Sequence, residues 1–106
     1  MSEVRTYVVF VTAPSEAEAA RIGRTLVEER LAACANITGQ IRSIYRWQDT
    51  IEDEPEFLMI LKTSADSLDA LIARANELHS FEVPEIIALP IHQGFPPYVD
   101  WIARNA

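Results

Sequence analysis

Apolar residues bunch, alternate and recur along this chain so that six elements and a short seventh can be read from their spacing. Tyr7-Val8-Val9-Phe10-Val11 is a continuous apolar run, which predicts a strand from Thr6 to Val11 buried on both faces. It stops at Thr12-Ala13-Pro14. Ser15-Glu16-Ala17-Glu18 then has the Ser-x-x-Glu form in which side chains cap backbone donors at a helix start. Ala19, Ile22, Leu26, Val27 and Leu31 follow at helical spacing, with Glu16, Glu18, Arg21, Arg24, Glu28 and Glu29 on the remaining positions.

From Cys34 the period falls to two. Ala35, Ile37, Ile41, Tyr45 and Trp47 alternate with Asn36, Thr38, Gln40, Arg42, Arg46 and Gln48, predicting a long strand with one wet face. The acidic, turn-prone stretch from Asp49 to Pro55 reads as a solvated hairpin tip. Phe57-Leu58-Met59-Ile60-Leu61 reads as a strand covered on both sides. Asp66 is placed to cap a second helix, whose inward stripe is Leu68, Leu71, Ile72, Ala75 and Leu78 and which Ser80 closes. A last strand runs from Glu85 to Ile91. After the loop His92 to Pro97, Tyr98-Val99-Asp100-Trp101-Ile102 makes a short C-terminal helix with Pro97 at its first position.

Strand, helix, strand, strand, helix, strand is the order of an α+β, ferredoxin-like split βαβ fold (βαββαβ) with an antiparallel sheet. Right-handed crossovers put the first and third strands in the middle, and these are the two continuous apolar runs. The second and fourth become edges, and Pro90 inside the fourth suits an edge. The second strand, about 13 residues where 5 or 6 is usual, is a pairing hazard if left bare. Either a partner subunit covers it, or a bulge at Gly39 breaks it and its end curls away.

With 106 residues and 49% hydrophobic content, the chain is expected to form one domain over residues 1–106 with a real core. Sixteen acidic against nine basic residues give a formal charge of −7, which repels nucleic-acid phosphates and attracts cations. No nucleic-acid partner is expected. A single cysteine cannot form an internal disulfide, and a five-residue apolar run near the N-terminus is too short for a signal segment or a membrane span. A cytoplasmic protein without a membrane partner is expected, in which the sequon Asn36-Ile37-Thr38 is silent.

Four segments, ERLAACAN (29–36), SIYRWQDTIED (43–53), LMILKT (58–63) and EVPEIIALPI (82–91), resemble the signature blocks of the CutA family of divalent-cation tolerance proteins. They occur in order, nearly ungapped, over essentially the whole chain. The resemblance implies a ferredoxin-like homotrimer, tolerance or binding of divalent metal ions such as copper, and a bacterial cytoplasmic setting. Two positions depart from the enterobacterial form of the pattern: Val11 stands in place of a cysteine, and Leu78 in place of a second histidine beside the one matching His79. Those positions are linked to copper in the family, so His79 alone carries over.

His79 ends a helix, where the dipole favours a cation, and Glu82 and Glu85 follow within reach. The three are candidate nitrogen and oxygen ligands for a divalent ion. The competing reading is a solvated histidine at a helix end, and His92, beside a Gly-Pro loop, is expected to be exposed. Cys34 reads as a small apolar residue at a helix-to-strand junction, against the alternative of a reactive thiol. Asp49, Glu52, Asp53, Glu54 and Glu56 match no loop with defined ligand positions and default to the solvated tip. Tyr45, Trp47 and Trp101 are candidate anchors of the trimer interface, with the wall of a ligand cleft as the alternative.

No grouping of Ser, His and Asp, no Gly-rich phosphate loop and no metal-hydrolase spacing is present, so no catalytic residues are assigned and the protein is not expected to be an enzyme. No cofactor is required on this reading beyond a divalent cation such as copper. The alternative function is a trimeric signalling or scaffold module similar in shape to the PII regulators, taking a small anionic ligand in intersubunit clefts near Arg46, Lys62 and His79.

Overall fold

In the computed structural model, which describes residues 3–106, the elements are β1 (Thr6–Ala13), α1 (Glu16–Glu28), β2 (Cys34–Trp47), β3 (Thr50–Ser64), α2 (Leu68–Leu78), β4 (Ile86–Pro90) and α3 (Pro96–Asn105). The four strands form one antiparallel-paired sheet in the order β2-β3-β1-β4. This is the expected ferredoxin-like arrangement, with the apolar runs at its centre and β2 and β4 at its edges. Ser15 caps α1 as its sequence motif predicts, its hydroxyl accepting from the Glu18 N–H at 3.1 Å.

One face of the sheet carries Val9, Val11, Met59 and Leu61, which pack with Ile22 and Leu26 of α1 and Leu71 and Ala75 of α2 into a sealed core. Helix and sheet approach closely at Gly23, where an added Cβ would lie 2.9 Å from Met59 Sδ and 3.0 Å from Ala35 Cβ. Glycine is there for lack of room. The opposite face of the sheet is also apolar. Because successive strand residues alternate sides, the neighbours of those core positions, Val8, Phe10, Leu58, Ile60, Ile87 and Leu89, point away from the helices and stay half-buried or exposed. α3 crosses this second face at one end, where Tyr98 Oη meets Cys34 Sγ at 3.8 Å and Ser64 Oγ donates to the Ala106 carbonyl at 3.1 Å.

Three local expectations are corrected. The stretch Asp49 to Pro55 is not a loose tip: β3 begins at Thr50, and Gln48 and Asp49 alone make the turn, both with positive φ (49° and 66°). A two-residue turn with both residues left-handed matches the twist of a hairpin, and polar short side chains such as Asp tolerate that region. The acidic residues that follow are accommodated because Arg42 makes a two-pronged contact across the strands to Asp53, at 2.8 and 2.7 Å. The second helix starts after Ser67, not Asp66, and Ser64 Oγ accepts from the Ser67 N–H instead of an aspartate cap. At Gly39 the expected irregularity is present, the register shifting between Ile37 and Gln40, but it does not break the strand, and β2 continues to Trp47. Thr38 Oγ1 accepts from the Leu58 N–H at 3.1 Å, replacing the ladder bond lost at the irregularity.

Candidate functional site

β1 ends opposite Phe57, so the β2–β3 hairpin runs on past the rest of the sheet as a free arm. The connection from Ser80 to Glu85, between α2 and β4, faces the root of that arm. Between them lies a cleft of about 790 Å³, walled by Tyr45 and Trp47 of β2, Glu56 of β3, and Phe81, Glu82 and Glu85 of the connection. Its volume is in the range of small-ligand sites.

His79 is set into the floor beside this cleft. It is 8% exposed, which corrects the expectation of a solvated helix end. Nε2 lies 2.7 Å from the Thr12 carbonyl and Nδ1 accepts from the Phe81 N–H at 3.0 Å. A carbonyl can only accept and an amide N–H can only donate, so these two bonds fix the neutral tautomer with its proton on Nε2. Both nitrogens are thereby used. Glu18 Oε2 stands 3.5 Å from Nδ1 and accepts from the Ser80 N–H and hydroxyl at 3.0 and 2.8 Å. Burial raises the Glu18 carboxyl, but the two Ser80 hydrogen bonds, with the charge of Arg21, outweigh it and hold it below its ordinary value. The pair ties the start of α1 to the end of α2 and fixes one wall of the cleft.

The remaining candidates are dispersed within one subunit. Glu82 and Glu85 are exposed, and among the described residues no three His, Cys, Asp or Glu side chains are arranged to hold a metal ion. Arg46 is opposite Ile51 and Lys62 opposite Cys34; those β3 positions are eleven residues apart (62 − 51), about 35 Å at the rise of a strand. Lys62 bonds instead to Asn36. A cleft containing both cations together with His79 would have to be assembled from more than one copy. Trp101 stacks on Tyr98 at 5.5 Å, at the Cys34 end of β2 and far from Tyr45 and Trp47 on the arm. Cys34 is half-buried, and burial, followed by the contact with Cys34, raises the Tyr98 hydroxyl.

The sequence pattern groups Glu56 with the solvated tip, and this too is corrected: it is 7% exposed and lines the cleft. Burial, and then the carboxylates of Glu56, Glu52 and Glu54, raise the neighbouring Tyr45 hydroxyl. The place of Glu18, Ser80 and Phe81 around His79 is missed by sequence reasoning. Local pattern marks Glu18 as part of a helix cap and Ser80 as a helix end, but not their bond to each other, which spans 62 positions.

The family described as CutA1 divalent ion tolerance protein matches residues 7–105. The chain is 47% identical over 98 residues to the divalent-cation tolerance protein CutA of Thermus thermophilus, covering 92% of this chain and 95% of that one. It is 48% identical over 93 residues to mouse protein CutA, covering 88% of this chain but 52% of the mouse protein, so it spans about half the length of that relative. Among solved structures, the divalent cation tolerance protein of Thermus thermophilus superposes with a TM-score of 0.91 at 46% identity, covering 94% of this chain and 97% of that one. CutA1 from a psychrotrophic Shewanella bacterium superposes with a TM-score of 0.93 at 37% identity, covering 99% and 98%.

Proposed function

The chain belongs to the CutA1 divalent ion tolerance family, and on that footing we propose that it acts as a cytoplasmic homotrimer in the response to divalent metal ions, as a binding and assembly protein and not as an enzyme. The observation that carries the trimer is the second face of the sheet. Val8, Phe10, Leu58, Ile60, Ile87 and Leu89 form an apolar surface that α3 reaches at one end, flanked by the open edges of β2 and β4. An apolar face of this kind marks an interaction surface, and bare edges of this length invite pairing. The two edges are unlike strands on opposite sides of the sheet. Joining one to the other is a heterologous contact, which closes into a ring, and three copies make the smallest ring of that type.

Light scattering on dilute protein tests the assembly, with a mass of three chains as the expected result; a monomeric mass at micromolar concentration would remove the reading. The cytoplasmic placement rests on the lone cysteine, which suits a reducing compartment.

Copper is the divalent cation proposed, because nitrogen and oxygen ligands of any kind rank it above zinc and nickel on general ligand-field grounds. Recruiting His79 together with Glu82 or Glu85 would break the bonds of His79 to Thr12 or Phe81, so binding there is expected to be weak. Calorimetric titration with copper should therefore give nearly the same affinity for the wild type and for His79→Ala. A loss of about tenfold or more in the variant would make His79 a ligand after all and show that its ring leaves the floor of the cleft.

A further inference from the structure

The second face of the sheet, turned away from α1 and α2, is apolar at its centre and charged at its two ends. Residues two apart on a strand share a face, so β3 sets Glu52, Glu54, Glu56, Leu58, Ile60 and Lys62 along it in that order. Lys62 is the single lysine of the chain and the one basic residue that the strands place on this face. It is half-buried between Cys34 of β2 and Val8 of β1. Its ammonium donates to the neutral amide oxygen of Asn36 and makes no ion pair among the described residues.

The three glutamates are the only acidic residues that the strands place on the same face. Their convergence is felt at Tyr45, whose hydroxyl is raised by burial and then by Glu56, Glu52 and Glu54. Within one subunit the two ends do not meet. Glu56, the nearest of the three, is six residues from Lys62 (62 − 56), about 20 Å along the strand and more than two side chains can bridge. A second copy laid on this face would withdraw the ammonium from water, and a buried ammonium beside a neutral amide alone is strongly destabilising. A carboxylate has to arrive with the copy that does the burying.

We propose that Lys62 of each subunit pairs with a glutamate of the stripe Glu52, Glu54 and Glu56 on the arm of a neighbouring copy. The proposal rests on the trimeric reading and adds what sets its alignment. Apolar contact is non-directional, whereas complementary charges fix the register of two surfaces. Lys62 thereby takes a protein carboxylate in place of the small anionic ligand of a PII-like module.

Sedimentation of the full-length chain over a range of concentrations reads the assembly. A wild type that stays monomeric fails the trimeric reading itself, and the proposal with it; a wild-type trimer lets the variants judge the pair alone. Lys62→Glu, outside the sealed core, should then sediment as one chain with parental circular dichroism. Adding Glu52→Lys, Glu54→Lys or Glu56→Lys to it should restore the trimer in at least one of the three double variants. A Lys62→Glu trimer of parental stability, or restoration in none of the three, would overturn the proposal.

Milder changes keep the test decisive where a reversed charge does not fold. Lys62→Met should raise the concentration of half-dissociation at least about tenfold, the effect of losing one charge-assisted hydrogen bond, and should leave assembly less sensitive to salt. Combined in turn with Glu52→Gln, Glu54→Gln and Glu56→Gln, it should lose less than the sum of the two single effects at one of these positions, the mark of a direct contact. Strict additivity at all three would place the partner of Lys62 elsewhere and end the proposal.

Discussion

Trp47→Glu is expected to yield monomers or aggregates where the parent chain assembles. Trp47 is the last residue of β2 before the turn, at the tip of the free arm, and 42% of its surface stays exposed in the single chain. Ile44 and Ile51 on the same arm are also exposed. If assembly buries what is left of the indole, roughly 100 Å² per copy, the contribution is about 2.5 kcal/mol per subunit. Three copies multiply that value. Glutamate forfeits the term and adds a charge beside Glu52 and Glu54, already on the arm, so the penalty exceeds the simple loss of area. The fold of the subunit should survive, because the arm lies outside the sealed core. Circular dichroism unchanged from the parent, with a mass reduced to one chain, is the outcome expected. A trimer of parental stability would place the arm tip outside the interface, whereas Trp47→Phe should assemble normally.

Leu61→Ala acts on the subunit itself. Leu61 is fully buried and lies opposite Val9 and Ala35 in the sheet, beneath both helices. Truncation removes three carbons from the centre of the core and leaves a void that the rigid central strands cannot close, at a cost of about 2–5 kcal/mol. For a domain whose whole stability is of order 5–15 kcal/mol, that is a large fraction. Urea unfolding at a fixed protein concentration, needed because assembly adds to apparent stability, should show an earlier midpoint with little change in slope. A shift equivalent to less than about 1 kcal/mol would mean that the helices settle into the gap.

Residues whose role depends on chain-local spacing were legible in the sequence. The continuous apolar runs at Tyr7–Val11 and Phe57–Leu61 identified the central strands, Pro90 an edge, and Ser15 a helix start, each through a steric or hydrogen-bonding rule that acts within a few residues. The arm was legible in β2 but not in the opening of β3, since a hairpin with both faces in water need not alternate cleanly, and Ile51 falls among carboxylates. His79 illustrates what no spacing reveals. Its burial follows from a bond to a backbone carbonyl contributed by Thr12, and a carbonyl has no residue signature. Glu56 was hidden for a related reason: it follows a run of exposed acids, and only the connection from Ser80 to Glu85, folded against the arm, turns it inward. Gly23 carries no sequence mark beyond being a glycine in a helix, and its meaning appears once Met59 and Ala35 are in place.

The two-residue turn at Gln48 and Asp49 also bears on the order in which the chain acquires its structure. Trp47 and Thr50 pair at once, and each further pair of the β2–β3 ladder adds without closing a long loop, so this hairpin can form within microseconds. β4 has no such advantage. Its ladder joins Tyr7 to Pro90, 83 positions apart (90 − 7), and that closure entropy must be met before any contact rewards it. The arm should therefore be the early ribbon and β4 the late arrival. Pulse-labelled hydrogen exchange during refolding would show amides of residues 40–55 protected before those of 86–90, and the reverse order would sink the idea. An early arm presents its open edge while β4 is still unplaced, which makes the refolding chain, more than the finished subunit, the species most exposed to pairing with the wrong neighbour.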